Sequence, residues 1–159
     1  MILAILQARL SSTRLPGKVL KPILGVPMLL RQIERVRRAR GMERLVLATS
    51  DDPSDDAIEK LCHENDIECF RGSLNDVLDR FYQAAKDRNP DYVVRLTGDC
   101  PLIDPDIIDK VARHCVVGEF DYASNTIKPT FPDGLDVEVF RFECLEAAWR
   151  EATLPSQRE

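Results

Sequence analysis

Hydrophobic positions along the chain follow two alternating patterns. Short apolar runs of strand length recur at residues 2–6, 45–49, 67–70, 92–97, 122–124 and 136–140. Between them the apolar residues keep helical spacing. In 27–40, Leu29, Ile33 and Val36 share one stripe, Pro27 opens the segment and Gly41 follows it, which is favoured helix-end chemistry; the other face carries arginines. Asp52-Pro53 and Asp104-Pro105 repeat one device, an acidic N-cap followed by Pro at the first helical position, so helices are predicted to begin near both. Ile58, Leu61 and Cys62 face inward in one, and Ile107, Ile108, Val111 and Cys115 in the other. Residues 75–88 place Val77, Leu78, Phe81 and Ala85 at helical spacing, a last helix is predicted over 142–152, and Pro129 and Pro132 mark a longer loop. Strands alternating with helices form the pattern of a βαβ protein rather than of a sandwich or a bundle. With no internal repeat, low-complexity stretch or linker, the expectation is a single α/β domain over 1–159 with a mostly parallel sheet flanked by helices.

Composition narrows the function classes. With 159 residues, 44% hydrophobic and 31% charged, the chain is long enough to bury a sizeable core and is neither disordered, collagenous nor a disulfide-stapled miniprotein. Lys and Arg total 22 against 27 Asp and Glu, a net charge of −5. No global basic field draws nucleic acid or an anionic membrane, so any anion site is local. The N-terminal apolar run is too short for a signal or membrane segment and meets Arg9 at once, which makes the cytoplasm the expected compartment. Five cysteines, odd in number and without a Cys-x-x-Cys pair, read as reduced core or near-core thiols. His63 and His114 read as partly exposed surface residues.

In an open parallel sheet, ligands bind beyond the carboxyl ends of the strands. After the first strand comes Gln7-Ala8-Arg9-Leu10-Ser11-Ser12-Thr13-Arg14-Leu15-Pro16-Gly17-Lys18, with three cations, three hydroxyls and a glycine. That composition suits a polyphosphate, whose charge is spread over several oxygens and needs multiple cations and N–H donors. The bland alternative is a set of solvated loop charges. No other strand is followed by a comparable density of cations and hydroxyls. Neither the P-loop pattern Gly-x-x-x-x-Gly-Lys-Ser/Thr nor the dinucleotide pattern Gly-x-Gly-x-x-Gly occurs, which removes most of the case for a P-loop kinase or a Rossmann oxidoreductase. The second segment is Thr97-Gly98-Asp99-Cys100-Pro101-Leu102-Ile103-Asp104. Asp104 fits a helix cap, whereas Asp99, after a glycine at a strand end, is placed to reach a divalent cation held on phosphates.

Taken together, these segments resemble the CMP-sugar synthetases, the acylneuraminate and 3-deoxy-manno-octulosonate cytidylyltransferases. Gln7 to Lys18 is similar to their signature loop. Arg71-Gly72-Ser73, Asp76-Val77-Leu78-Asp79-Arg80-Phe81, Thr97 to Pro105 and Asp133-Gly134-Leu135-Asp136-Val137-Glu138-Val139-Phe140 are similar to the spore coat polysaccharide biosynthesis type. The resemblance implies a Rossmann-like nucleotide-diphospho-sugar transferase fold. It also implies transfer of CMP from CTP to a sugar, expected to be a 2-keto sugar acid, with release of pyrophosphate and with Mg²⁺ as cofactor, in surface polysaccharide or glycan biosynthesis. It allows a homodimer.

Carried over residue by residue, Gln7, Ala8, Arg9, Ser11, Arg14 and Lys18 would line the nucleotide site, with Arg9, Arg14 and Lys18 on the triphosphate. Arg9, Lys18 and Asp99 would be catalytic, and Arg71 and Ser73 would approach the base or ribose. Asn125, Asp133, Asp136 and Glu138 would face the acceptor. Asp99 would hold the metal, joined by Asp136, which is also one candidate general base, a metal-bound water being the other. Relatives usually continue past the position of Glu159 with a His-containing segment and a helical region bearing another metal-site aspartate. The resemblance therefore implies a chain that lacks the family's C-terminal segment and has little transferase activity alone. Two other readings remain open at this level: a non-catalytic nucleotide-binding or scaffold module, and a sugar-nucleotide pyrophosphorylase using another NTP. Those pyrophosphorylases more often carry a Gly-x-Gly first loop, which Ala8-Arg9-Leu10-Ser11 is not.

Overall fold

The first strand, β1 (Ile2–Gln7), is buried on both faces, and the fold is arranged around it in a computed structural model that describes residues 1–11, 15–129 and 131–159. Side chains alternate across a strand, so Ala4 and Leu6 join one apolar cluster and Leu3 and Ile5 another. A short hairpin of β2 (Pro22–Ile23) and β3 (Val26–Pro27) leads into α1 (Met28–Val36). Then follow β4 (Arg44–Ser50), α2 (Asp56–Glu64), β5 (Cys69–Gly72), α3 (Val77–Lys86) and β6 (Tyr92–Thr97). The remainder is α4 (Pro105–Val117), β7 (Tyr122–Ser124), β8 (Glu138–Arg141), α5 (Phe142–Glu151) and a single turn, α6 (Pro155–Arg158).

The main sheet has the order β5-β4-β1-β6-β8-β7. β1 runs parallel to β4 and β6, and β5 parallel to β4, whereas β8 pairs antiparallel with β6 and with β7. Residues of α1, α2 and α4, among them Leu29, Ile33, Val36, Ile58, Cys62, Ile108 and Cys115, cover the face of Ala4 and Leu6. Phe81, Ala84, Ala85 and Leu145, from α3 and α5, cover the face of Leu3 and Ile5. The α/β class with a mostly parallel, helix-flanked sheet is as the sequence pattern predicts. Among the described residues no helix is long and apolar enough to cross a membrane.

Several boundaries differ from the sequence reading, each for a local reason. The strand expected at 67–70 runs Cys69–Gly72 because the Ile67 N–H bonds the Cys62 carbonyl and so belongs to the turn ending α2. The strand expected from 136 starts at Glu138, since Val137 N–H is taken by the Asn125 side chain. The helix expected over 27–40 stops at Val36, with residues 38 and 39 in tighter i→i+3 bonds. Asp52 and Asp104 are N-caps, accepting from Ser54 N–H and Asp106 N–H, each at 2.8 Å. The five cysteines are free thiols, Cys62 and Cys115 fully buried, and both histidines are exposed.

Candidate active site

The carboxyl ends of β1 and β6 are drawn together by a glycine. Gln7 and Thr97 are register partners, and one residue further on the Gly98 N–H donates to the Gln7 carbonyl at 2.7 Å. A Cβ at Gly98 would lie 2.7 Å from that carbonyl oxygen and 2.8 Å from Ala8 Cβ. Only glycine lets these backbones approach so closely. The loop following β1 and the turn following β6 thereby share one edge of the sheet.

That edge is where Lys18 meets Asp99. The loop closes when Gly17 N–H donates to the Leu10 carbonyl at 3.0 Å, and Lys18 then opens a short 3₁₀ turn anchored by buried Val19. The Lys18 ammonium donates to Asp99 Oδ2 at 2.6 Å. Burial by itself would push the Asp99 carboxyl up, but the Lys18 ammonium and the Thr97 hydroxyl hold it below the usual carboxylate range. Arg9 and Ser11 are exposed, Ala8 is buried and Gln7 is half-buried. Arg14 lies outside the described residues.

Two buried polar side chains hold this arrangement. Asp55, with no exposure, accepts the Leu10 N–H at 2.7 Å and the Ser50 N–H at 3.1 Å, and also takes the Ser50 hydroxyl. It ties the loop after β1 to the end of β4. Gln32, equally buried on α1, donates to the Thr97 carbonyl at 2.7 Å and accepts the Cys100 N–H at 3.2 Å, bracketing the Gly98-Asp99 turn. Neither residue is singled out by sequence reasoning. The available signal is a polar residue next to the apolar stripe of its helix, as Gln32 is beside Ile33.

Toward β8 the loop after β7 folds back. The Asn125 amide donates to the Leu135 carbonyl at 2.8 Å and accepts the Val137 N–H at 2.9 Å, so it closes the loop as a strand neighbour would. Asn125, Asp133 and Asp136, with Thr126, Pro129 and Phe131, line a cavity of about 250 Å³. Burial pushes the Cys100 thiol up, and the Asp99 and Asp136 charges add to that rise; the Cys100 Sγ lies 3.8 Å from Asp99 Oδ1.

Three predicted residues have other local partners. Arg71 donates to the Ser50 and Asp52 carbonyls, both at 3.0 Å, and pairs with Asp56 at 2.7 Å and Glu59 at 2.8 Å. Ser73 accepts the Asp76 N–H at 3.1 Å ahead of α3. Glu138 pairs with Arg95 at 2.5 Å, on the face covered by α3. The motif ahead of and within α3 is also largely structural. Asp76 caps the helix and pairs with Arg158 at 2.7 Å, and Asp79 accepts the Trp149 indole N–H at 2.7 Å.

Lys18 and Asp99 thus join the cation-bearing loop after β1 to the acidic turn after β6. A family model described as Cytidylyltransferase matches residues 3–158. The chain belongs to the cytidylyltransferase family. It is 41% identical over 160 residues to an uncharacterized protein of Methanocaldococcus jannaschii, covering 99% of this chain and 64% of that one. It is 41% identical over 128 residues to the spore coat polysaccharide biosynthesis protein SpsF of Bacillus subtilis, covering 78% of this chain and 52% of that one. The solved structure of a cytidylyltransferase from Leptospira borgpetersenii superposes with a TM-score of 0.94 at 38% identity, covering 99% of this chain and 67% of that one. The chain thus spans between about half and under two thirds of the length of these curated relatives.

Proposed function

We propose that this chain forms the nucleotide half of a CTP-dependent cytidylyltransferase, which transfers CMP to the hydroxyl of a sugar, in particular a 2-keto sugar acid, and releases pyrophosphate. The Lys18–Asp99 pair at the shared edge of β1 and β6 carries this reading. Attack at an α-phosphorus develops charge on the departing phosphates, so fixed cations lower the barrier and no covalent residue is needed. Arg9 and Lys18 supply those cations. Gln7, Ala8 and Ser11 line the nucleotide loop, and the cavity lined by Asn125, Asp133 and Asp136 receives the acceptor.

The donor set suits Mg²⁺: hard carboxylate oxygens on Asp99 and Asp136, with phosphates and water completing the shell. Among the described residues no group of three or more His, Cys, Asp or Glu gathers as a metal site. When bound, Mg²⁺ would neutralise phosphate charge and favour pyrophosphate departure. Lys18, already hydrogen-bonded to Asp99 Oδ2, keeps that carboxylate ionised and oriented.

The test is pyrophosphate release measured with each NTP against a panel of sugar acids, alongside calorimetry of Mg·CTP binding. K18A is expected to weaken CTP about ten-fold or more, the loss of one charge-assisted contact. D99N is expected to remove the Mg²⁺ dependence of binding while the chain stays folded. Unchanged CTP affinity in both variants overturns the assignment.

A further inference from the structure

The α3 face of the sheet holds a charge that the reading above leaves unused. Arg80 has no solvent exposure. One terminal nitrogen donates to the Ser73 carbonyl at 2.6 Å, while Nε and the other terminal nitrogen meet no acceptor among the described residues. Its stem lies against the end of β5, where a Cβ on Gly72 would come within 3.2 Å of Arg80 Cγ. A guanidinium offers five donors, and a buried one with so few partners is unfavourable unless another charge compensates it.

The charges around it come from several elements. Burial disfavours the Arg80 cation and Arg9, at the end of β1, adds repulsion, while Asp51 and Asp55 after β4 and Asp76 at the cap of α3 oppose both. Two of those carboxylates already serve other donors, Asp55 the Leu10 and Ser50 N–H groups and Asp76 the Asp79 N–H and Arg158. A second orphan lies at the same sheet edge: the Gln7 amide oxygen is buried with no partner among the described residues, and alternation with Leu3 and Ile5 turns Gln7 toward the α3 layer. The floor under the Arg9 loop therefore sets the Arg80 and Arg9 cations against the Asp51, Asp55 and Asp76 carboxylates, and among the described residues it leaves two Arg80 nitrogens without an acceptor and the Gln7 amide oxygen without a donor.

We propose that Arg80 is a positioning residue of the nucleotide site, a buried cation beneath the Arg9 loop that draws in the polyphosphate and holds the Arg9 guanidinium outward to meet it. The proposal rests on the nucleotide-binding reading above. Repulsion between a buried and an exposed cation is least when the exposed one extends into solvent, where its fork can receive phosphate oxygens. An anion arriving there adds a further compensating charge to those of Asp51, Asp55 and Asp76. Because this action is through space, it scales with ligand charge, and because Arg80 is buried, salt screens it weakly.

The experiment compares CTP with uncharged cytidine by calorimetry on the whole chain, as wild type, R80Q and R80K, with a melting curve for each. R80Q is expected to weaken CTP roughly ten-fold and leave cytidine unchanged, and R80K, which keeps the charge, to retain the wild-type ratio of the two affinities. Equal losses for both ligands, or no loss in folded R80Q, overturn the proposal. Should R80Q not fold, R80K alone decides: a retained ratio supports the role of charge, a collapsed ratio refutes it. Wild type that binds CTP no better than cytidine would sink the nucleotide reading itself, whatever the variants do.

Discussion

Gly98 and Asp99 show how much a single position can decide. The Cβ missing at Gly98 leaves room for the Gln7 carbonyl, a backbone atom that cannot swing aside as a side chain would. Gly98→Ala is therefore expected to destabilise the fold by about 1–3 kcal/mol and to weaken CTP binding along with it, both measurable by denaturant unfolding and calorimetry. Asp99 makes a pH-dependent prediction. Its carboxyl is held below its ordinary value of about 3.9, with burial opposed by Lys18 and Thr97. A depressed native value means that the pair's contribution is present above the unfolded value and is lost as pH falls through the folded one. Melting wild type and Asp99→Asn between neutral pH and strong acid should show the gap between them closing only on the acid side of the ordinary carboxylate range.

At the scale of elements, polar side chains at core positions do the joining. Gln32 belongs to α1 but holds the turn after β6 through the Thr97 carbonyl and the Cys100 N–H. Gln32→Leu keeps the volume and leaves both groups unpaired, an expected cost of about 1–3 kcal/mol for each buried group. A control at exposed Glu34, on the same helix, should melt as wild type does. Between α2 and β5 the chemistry is that of thiols. The Cys69 thiol is pulled down chiefly by a hydrogen bond from Cys62, against the effect of burial, whereas burial pushes Cys100, Cys115 and Cys144 up. Thiolate is the reactive form, so limited alkylation of the native chain, mapped by mass spectrometry, should label Cys69 first. Equal labelling of Cys144 would contradict this ordering.

Across the whole molecule, β1 couples the two apolar layers. Leu6 and Ile5 are adjacent and both fully buried, yet they belong to opposite clusters. Truncating either to Ala is expected to cost about 2–5 kcal/mol. Because both layers share the strand, each variant should lower one common calorimetric transition rather than split it. Two transitions, one of them moved by Leu6→Ala alone, would show that the layers unfold separately. The site belongs to this scale too, since Lys18 and Asp99 lie 81 residues apart in the chain and meet only because β1 and β6 are neighbours.

What the sequence by itself determined is what depends on local periodicity and end chemistry. The alternation of strands and helices, the caps at Asp52 and Asp104, the buried first strand and the cation-rich loop after it can all be read from neighbouring residues. Tertiary structure decided the rest. The antiparallel pairing of β8 depends on which strand it meets, and periodicity within β8 is silent about partners. Arg71 and Glu138 pair with Asp56, Glu59 and Arg95, because a long cation or carboxylate takes whichever opposite charge the folded chain brings within reach. Asp55, Gln32 and Arg80 matter through burial, which a residue acquires only when distant segments pack over it. A polar side chain becomes a clamp or a reserve of charge only once water has been removed from around it.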